Sequence, residues 1–252
     1  MFAAGEEKSL TLVQGSGIHF VIMRKRSIPV KVKSAEHPEE ETATQVCTSA
    51  CQTLMDSVIS LDQQLTARMA VCATKESQLG HLRPLMKMLE ISCHGVPWIL
   101  GSLLLFAFSY KPIDVTVSVN LLGVLVFDLI VVGVLKFIFQ RSRPSHNVMD
   151  MFAAPSVDKF SFPSGHSTRA AMMGLFLCRH LLSESQFWCC LVCLWSISVA
   201  ASRILLGRHH VLDVVCGFLI GMAAYHVYVS YIWVSQATCL TYLDTYFGHV
   251  HL

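Results

Sequence analysis

Long apolar runs fill the chain from Leu85 onward, while the first 84 residues hold most of its ordinary polar composition. Against the roughly 20 apolar residues that cross a hydrocarbon core, five stretches read as spans. The first is built on residues 96–109 with the preceding turn or two and a kink expected at Pro97. The others run over about 113–139, from 164 or 166 to 182, over 187–206 and over 211–233, with short loops except for 140–163. Ahead of them, over residues 57–73, Val58, Leu61, Leu65 and Met69 recur at helical spacing, and Asp62, Gln63, Gln64 and Arg68 take other faces. That pattern suits an amphipathic helix, lying either at the membrane surface or on the polar face of a bundle.

Residues 1–56 mix a basic cluster (Arg24, Lys25, Arg26, Lys31, Lys33) with an acidic one (Glu36, Glu39, Glu40, Glu41) and lack sustained periodicity. They read as a disordered cytosolic tail, and residues 239–252 as a short C-terminal tail. The expected fold class is therefore all-α: one polytopic membrane helix bundle over residues 57–238, with about five spans plus the interfacial helix 57–73.

Composition agrees, since 53% of the 252 residues are hydrophobic and 14% charged, with a mean hydropathy of +0.53 that soluble domains rarely show. A net charge of +2, with no stripe of cations among aromatics, argues against nucleic acid. Of the ten cysteines, Cys178, Cys189, Cys190, Cys193 and Cys216 lie in apolar runs and read as small helix residues. The group Cys189, Cys190, Cys193 has no neighbouring His or carboxylate to complete a zinc site. The start of the chain, with Glu6 and Glu7, does not resemble a signal peptide, so an internal helix is expected to direct membrane entry.

Three polar clusters fall at the ends of spans and, with five spans, on one face. Lys136 is followed by Arg141, Arg143 and Pro144; Pro144 disfavours helix at Arg143, so cations should project at the membrane surface. Alone, this is a positive flank on a membrane helix. Pro163, Ser164, Gly165 and His166 open the third span, where unpaired N–H groups, a Ser donor and a Gly make an anion cradle beside an imidazole. Ser202, Arg203, His209 and Asp213 form the third cluster. If the fifth helix begins near His209, Asp213 sits one turn away on the same face and can orient the imidazole for nucleophilic attack. Adjacent His210 leaves the identity of the reactive imidazole open.

The segments KFIFQRSRP (136–144), PSGH (163–166) and SRILLGRHHVLD (202–213) resemble all three signatures of the type 2 phosphatidic acid phosphatase (PAP2) family, which includes lipid phosphate phosphatases and vanadium haloperoxidases. SCHGVPW (92–98) with FSFPSGHSTRA (160–170) is also similar to its polyisoprenoid diphosphate phosphatase branch, whose best-known member acts on presqualene diphosphate. The resemblance covers roughly residues 57–238. It implies a nucleophile at His209, an orienting carboxylate at Asp213, a general acid at His166, and phosphate binding by Lys136, Arg143, Ser164, Gly165 and Arg203. Relatives typically have six spans, one more than this pattern yields.

The implied reaction is hydrolysis of a lipid phosphate or diphosphate through a phosphohistidine. No metal ligands are evident near these groups, so no cofactor is expected. The implied partners are a lipid substrate and the bilayer, in the endoplasmic reticulum or nuclear envelope with the active face toward the cytosol; the sequence does not give the oligomeric state. A catalytically silent membrane scaffold of the same family is the principal alternative, although such relatives have damaged signatures. A transporter is suggested only by Asp128 and His226 inside spans, which a buried structural pair explains as well.

Overall fold

The computed structural model describes residues 38–109, 111–145, 147–148, 150 and 159–247, with the backbone alone for 38–50 and 243–247. The chain divides into two units, Met1–Thr48 and Ser49–Leu252. In the first unit, the described residues 38–48 are helical. All regular structure among the described residues is helical.

Helix α1 spans Pro38–Met69, which corrects both ends of the expected 57–73 helix. Of the 1–56 tail, residues 1–37 lie outside the described residues, and 38–56 are helical rather than disordered. Pro38 followed by Glu39, Glu40 and Glu41 is a helix-start signal, because Pro fits the first turn and carboxylates complement the dipole there. Apolar periodicity alone does not register it. At the other end α1 stops at Met69 because residues 70–73 leave the helix to dock on the bundle, where the Cys72 N–H donates to Leu205 O at 2.9 Å.

The first expected span is two helices, α2 (Arg83–Ser92) and α3 (Gly95–Ala107), bent relative to one another by 43° when the short 3₁₀ turn before α2 is included. The break falls at Cys93 and His94 rather than at Pro97. Pro97 sits in the first turn of α3, where its missing N–H would have no helical partner in any case. Helices α4 (Pro112–Phe139), α6 (Gln186–Leu205) and α7 (Val211–Tyr231) are long and apolar enough to cross a membrane, and the bent pair makes up to four crossings among the described residues. Residues such as Ile130 and Val134 of α4, Leu194 and Ile197 of α6 and Leu219 of α7 stand exposed on their outer faces, the surface that lipid covers.

Helix α5 (Gly165–His180) starts where the third span was expected, but its 16 residues fall short of the length a crossing needs. It packs against α4, α6 and α7, and with such neighbours it requires no lipid-facing stripe. Met172, Met173 and Phe176 of α5 meet Leu121, Val124 and Leu125 of α4 and Tyr225 and Tyr228 of α7 in the main core. Two glycines let α7 lie directly on α5: a Cβ at Gly221 would come within 2.1 Å of Thr168 O, and one at Gly217 within 3.0 Å of Ser164 O. This is close backbone packing through small residues.

A last helix, α8 (Gln236–Phe247), replaces most of the expected C-terminal tail; Cys239 is buried, and residues 248–252 lie outside the described residues. Asp128, inside α4, pairs with Arg169 of α5 at 2.8 Å, both buried. His226 is exposed on α7 and takes no part in that pair.

Candidate active site

Helices α4 and α6 finish, and α5 and α7 begin, at one end of the bundle, and the three sequence clusters meet there. Gln140, in the left-handed region at φ 44°, closes α4 and releases Arg141 and Arg143 into a loop, as expected from Pro144. Lys136 Nζ donates to Phe160 O at 2.7 Å and the Ser161 N–H to Arg141 O at 2.7 Å, which ties this loop to the segment entering α5. Arg143 Nη1 donates to Arg208 O at 3.2 Å and so joins the first cluster to the third.

Ser164 is the N-cap residue of α5 and is fully buried. Its N–H donates to Asp213 O at 3.1 Å, and its hydroxyl oxygen accepts from Ser167 Oγ at 2.9 Å, which leaves its own proton available to an anion. A Cβ at Gly165 would lie 3.4 Å from Val132 Cγ1, so this glycine also eases packing on α4. His166 lies in the first turn of α5, and its ring centroid is 6.2 Å from that of His94.

The third cluster departs from the expected geometry. Helix α7 begins at Val211 with His210 as its N-cap, so His209 lies outside the helix and does not share a face with Asp213. Asp213 instead accepts from the His210 N–H at 2.9 Å and from the Ser161 hydroxyl, and pairs with Arg141 at 2.6 Å. The group that holds His209 is the Ser161 backbone carbonyl, 2.8 Å from Nδ1. A carbonyl only accepts, so Nδ1 carries the proton and Nε2 the lone pair. Nε2 is buried and makes no hydrogen bond among the described residues.

The two adjacent histidines face different charges. Burial, and then the positive charges of Arg143, Arg203 and Lys136, push His209 well below the ordinary histidine range, leaving it neutral near pH 7. Burial also lowers His210, but its charged neighbours are Arg141, Asp213 and Asp62. The cations expected to bind phosphate therefore surround His209, whereas His210 belongs to a carboxylate and arginine cluster.

Three residues that hold this arrangement escaped the sequence reading. Glu90 of α2 is buried and pairs with Arg203 at 3.2 Å and Arg208 at 3.3 Å. Asp62 of α1 pairs with Arg141 at 2.6 Å, and Ser161 bridges Asp213 to His209 as described. The available signal was weak: Asp62 and Thr66 stand one helical turn apart beside the apolar stripe of α1, and Glu90 is a lone carboxylate between Leu89 and Ile91. Two further arginines beside the clusters are both committed to carboxylates, Arg141 to Asp62 and Asp213 and Arg208 to Glu90 and to Asp150 at 2.7 Å. Among the described residues no three or more His, Cys, Asp or Glu side chains are grouped so as to hold a metal.

Fold and site together define an all-helical, multi-pass membrane protein with a cation-ringed histidine at one end of the bundle. Residues 118–237 match the PAP2 superfamily. It is 40% identical to a protein of Arabidopsis thaliana named probable lipid phosphate phosphatase beta, over 40% of this chain and 59% of that one. It is 31% identical to the lipid A 4'-phosphatase of Porphyromonas gingivalis, over 54% of this chain and 61% of that one. The chain thus spans about three-fifths of the length of these curated relatives. Its fold is similar to the crystal structure of a transmembrane PAP2 type phosphatidylglycerolphosphate phosphatase from Bacillus subtilis, with a TM-score of 0.53, 25% identity, and coverage of 69% of this chain and 86% of that one.

Proposed function

We propose that this chain is a membrane lipid phosphatase that hydrolyses polyisoprenoid diphosphates and monophosphates, such as presqualene or farnesyl diphosphate, and phosphatidic acid less efficiently. The observation that carries the reading is His209: a buried, neutral imidazole with a bare Nε2 lone pair, surrounded by the charges of Arg143, Arg203 and Lys136. Nε2 attacks the terminal phosphorus, forming an N–P bond as that phosphorus loses its P–O bond to the leaving group, which is the lipid alcohol for a monophosphate and the lipid monophosphate for a diphosphate. His166 gives its proton to the departing oxygen, then accepts one from the water that hydrolyses the phosphohistidine and releases inorganic phosphate. Lys136, Arg143, Arg203, the Ser164 hydroxyl and the N–H groups of Gly165 and His166 stabilise the phosphoryl oxygens in the in-line transition state. These charges already lie within the protein, which supports turnover without a divalent metal.

The site's position at the helix ends supports a lipid substrate, whose tail stays among the helices while its phosphate reaches the cations. Each methylene kept out of water is worth about 0.8 kcal/mol, so soluble esters should be poor substrates. The preference for diphosphates rests on resemblance, because Arg141 and Arg208 are held by carboxylates. The resemblance and the positive flank also support an endoplasmic reticulum or nuclear envelope location with the site facing the cytosol. Catalytic efficiency toward farnesyl diphosphate, phosphatidic acid and a soluble phosphate ester, compared in mixed micelles with and without EDTA, tests the proposal. The expected order is the order named, unchanged by EDTA. A clear preference for phosphatidic acid would reassign the substrate, and loss of turnover in EDTA restored by magnesium would refute the metal-free scheme.

A further inference from the structure

Helix α1 precedes the residues that match the PAP2 superfamily, yet it reaches the head of α7. Its buried face carries Asp62 and Thr66, one turn apart. The Leu212 N–H donates to Asp62 Oδ1 at 2.9 Å and the Val211 N–H to Thr66 Oγ1 at 3.1 Å, so two of the orphan donors that open α7 are satisfied from α1. The other oxygen of Asp62 pairs with Arg141 at 2.6 Å, and the second nitrogen of that guanidinium pairs with Asp213, also at 2.6 Å. Burial works against the charge of Arg141, and Asp62 and Asp213 more than offset it, holding its pKa above the ordinary value.

From Asp213 the contacts run on to the site. Its carboxylate accepts from the Ser161 hydroxyl, the Ser161 N–H donates to Arg141 O, and Ser161 O accepts from His209 Nδ1. Arg141 therefore brackets Ser161 with its main chain and, through Asp213, its side chain, and Asp62 anchors the outer edge of the guanidinium. We infer that Asp62 is a positioning residue for His209: through Arg141, Asp213 and Ser161 it fixes the direction and tautomer of the imidazole, so that α1 completes a site whose cations come from the helices after it. This rests on the phosphatase reading above, and it assigns no contact between Asp62 and substrate.

The test uses the full chain in mixed micelles with farnesyl diphosphate, measuring kcat, KM and competitive inhibition by inorganic phosphate. In Asp62→Asn the amide oxygen can still accept from the Leu212 N–H, but the charge on Arg141 is lost. Outer partners of functional histidines in metal sites typically contribute 10–100-fold, and here kcat is expected to fall about tenfold with KM and phosphate inhibition within about twofold. In an Arg141→Ala background the same substitution should have no further effect on kcat, since it acts through that arginine. A structural role alone would instead reduce the yield of folded protein and leave kcat per folded molecule unchanged, which overturns the inference. If Asp62→Asn does not fold, Asp62→Glu keeps the charge and displaces it by one methylene; it should fold with reduced kcat, and wild-type kcat there overturns the inference. An inactive wild type overturns the phosphatase reading together with this inference, whereas an active wild type with unaltered Asp62 variants overturns this inference alone.

Discussion

The middle of the helix bundle and its site end solve the problem of buried charge in opposite ways. In the middle, Asp128 and Arg169 form one closed ion pair between α4 and α5. At the end, Lys136, Arg143 and Arg203 act together on one neutral histidine, while Glu90 pairs with Arg203 and Arg208, Asp150 with Arg208, and Asp62 and Asp213 with Arg141. The difference teaches that an ionisable residue within a membrane helix does not by itself mark a site. A pair that consumes its own charge reads as scaffolding, whereas a set of same-sign charges converging on a bare lone pair is what the proposed attack on an anion requires.

The sharpest way to break this comparison is at the histidines. His209→Ala should abolish both turnover and phosphoenzyme formation, and His210→Ala should leave much of both, because the cations surround 209 alone. Trapping with labelled substrate reads this directly; equal labelling of wild type and His209→Ala would remove the nucleophile assignment. Next in size are the cations. Removing one preorganised donor or charge from a phosphoryl transition state typically costs about 3 kcal/mol, roughly a hundredfold in rate. Lys136→Ala and Arg203→Ala should each show that loss in kcat/KM while still inserting. Near-normal rates would reduce both to membrane flank and structural pairing.

The middle pair should respond differently. Asp128→Ala leaves Arg169 buried without its carboxylate, and breaking a buried pair costs about 3–5 kcal/mol of stability. The expected result is a large drop in folded yield, or in the unfolding midpoint in detergent, with kcat per folded molecule close to wild type. If kcat collapsed while folding was spared, the closed pair would belong to the site and the contrast would disappear.

How much of this was legible follows the same division. The spans α4, α6 and α7 are read correctly because their apolar length is a property of each segment alone. The three clusters come together because four helix ends alternate, which topology dictates. Helix α1 ahead of residue 57 is missed because it is started by Pro38 and Glu39–Glu41 and not by an apolar stripe. The direct contact expected between Asp213 and His209 does not form, because the chain enters α7 through His210 and His209 turns toward Ser161 O. Glu90 and Asp62 are hidden because a carboxylate's partner is set by tertiary packing across more than seventy residues of chain.

The smallest expected effect concerns pH, and it again separates the two regions. An unfolded histidine titrates near pH 6.5, whereas His209, buried and close to three cations, stays neutral well below that. As pH falls through 6.5 the unfolded chain therefore binds a proton that the folded chain refuses, and stability declines. Above pH 6.5 both states hold the neutral ring, and the group contributes no slope. A single such group gives at most about 1.4 kcal/mol per pH unit below that point. Thermal unfolding of the detergent-solubilised protein at pH 7.5, 6.5 and 5.5 should show a midpoint that drops on the acid side, with a shallower drop in His209→Gln, which has nothing to protonate. Equal acid slopes in the two proteins would mean that His209 is already charged in the folded state, and a charged imidazole has no lone pair with which to attack phosphorus.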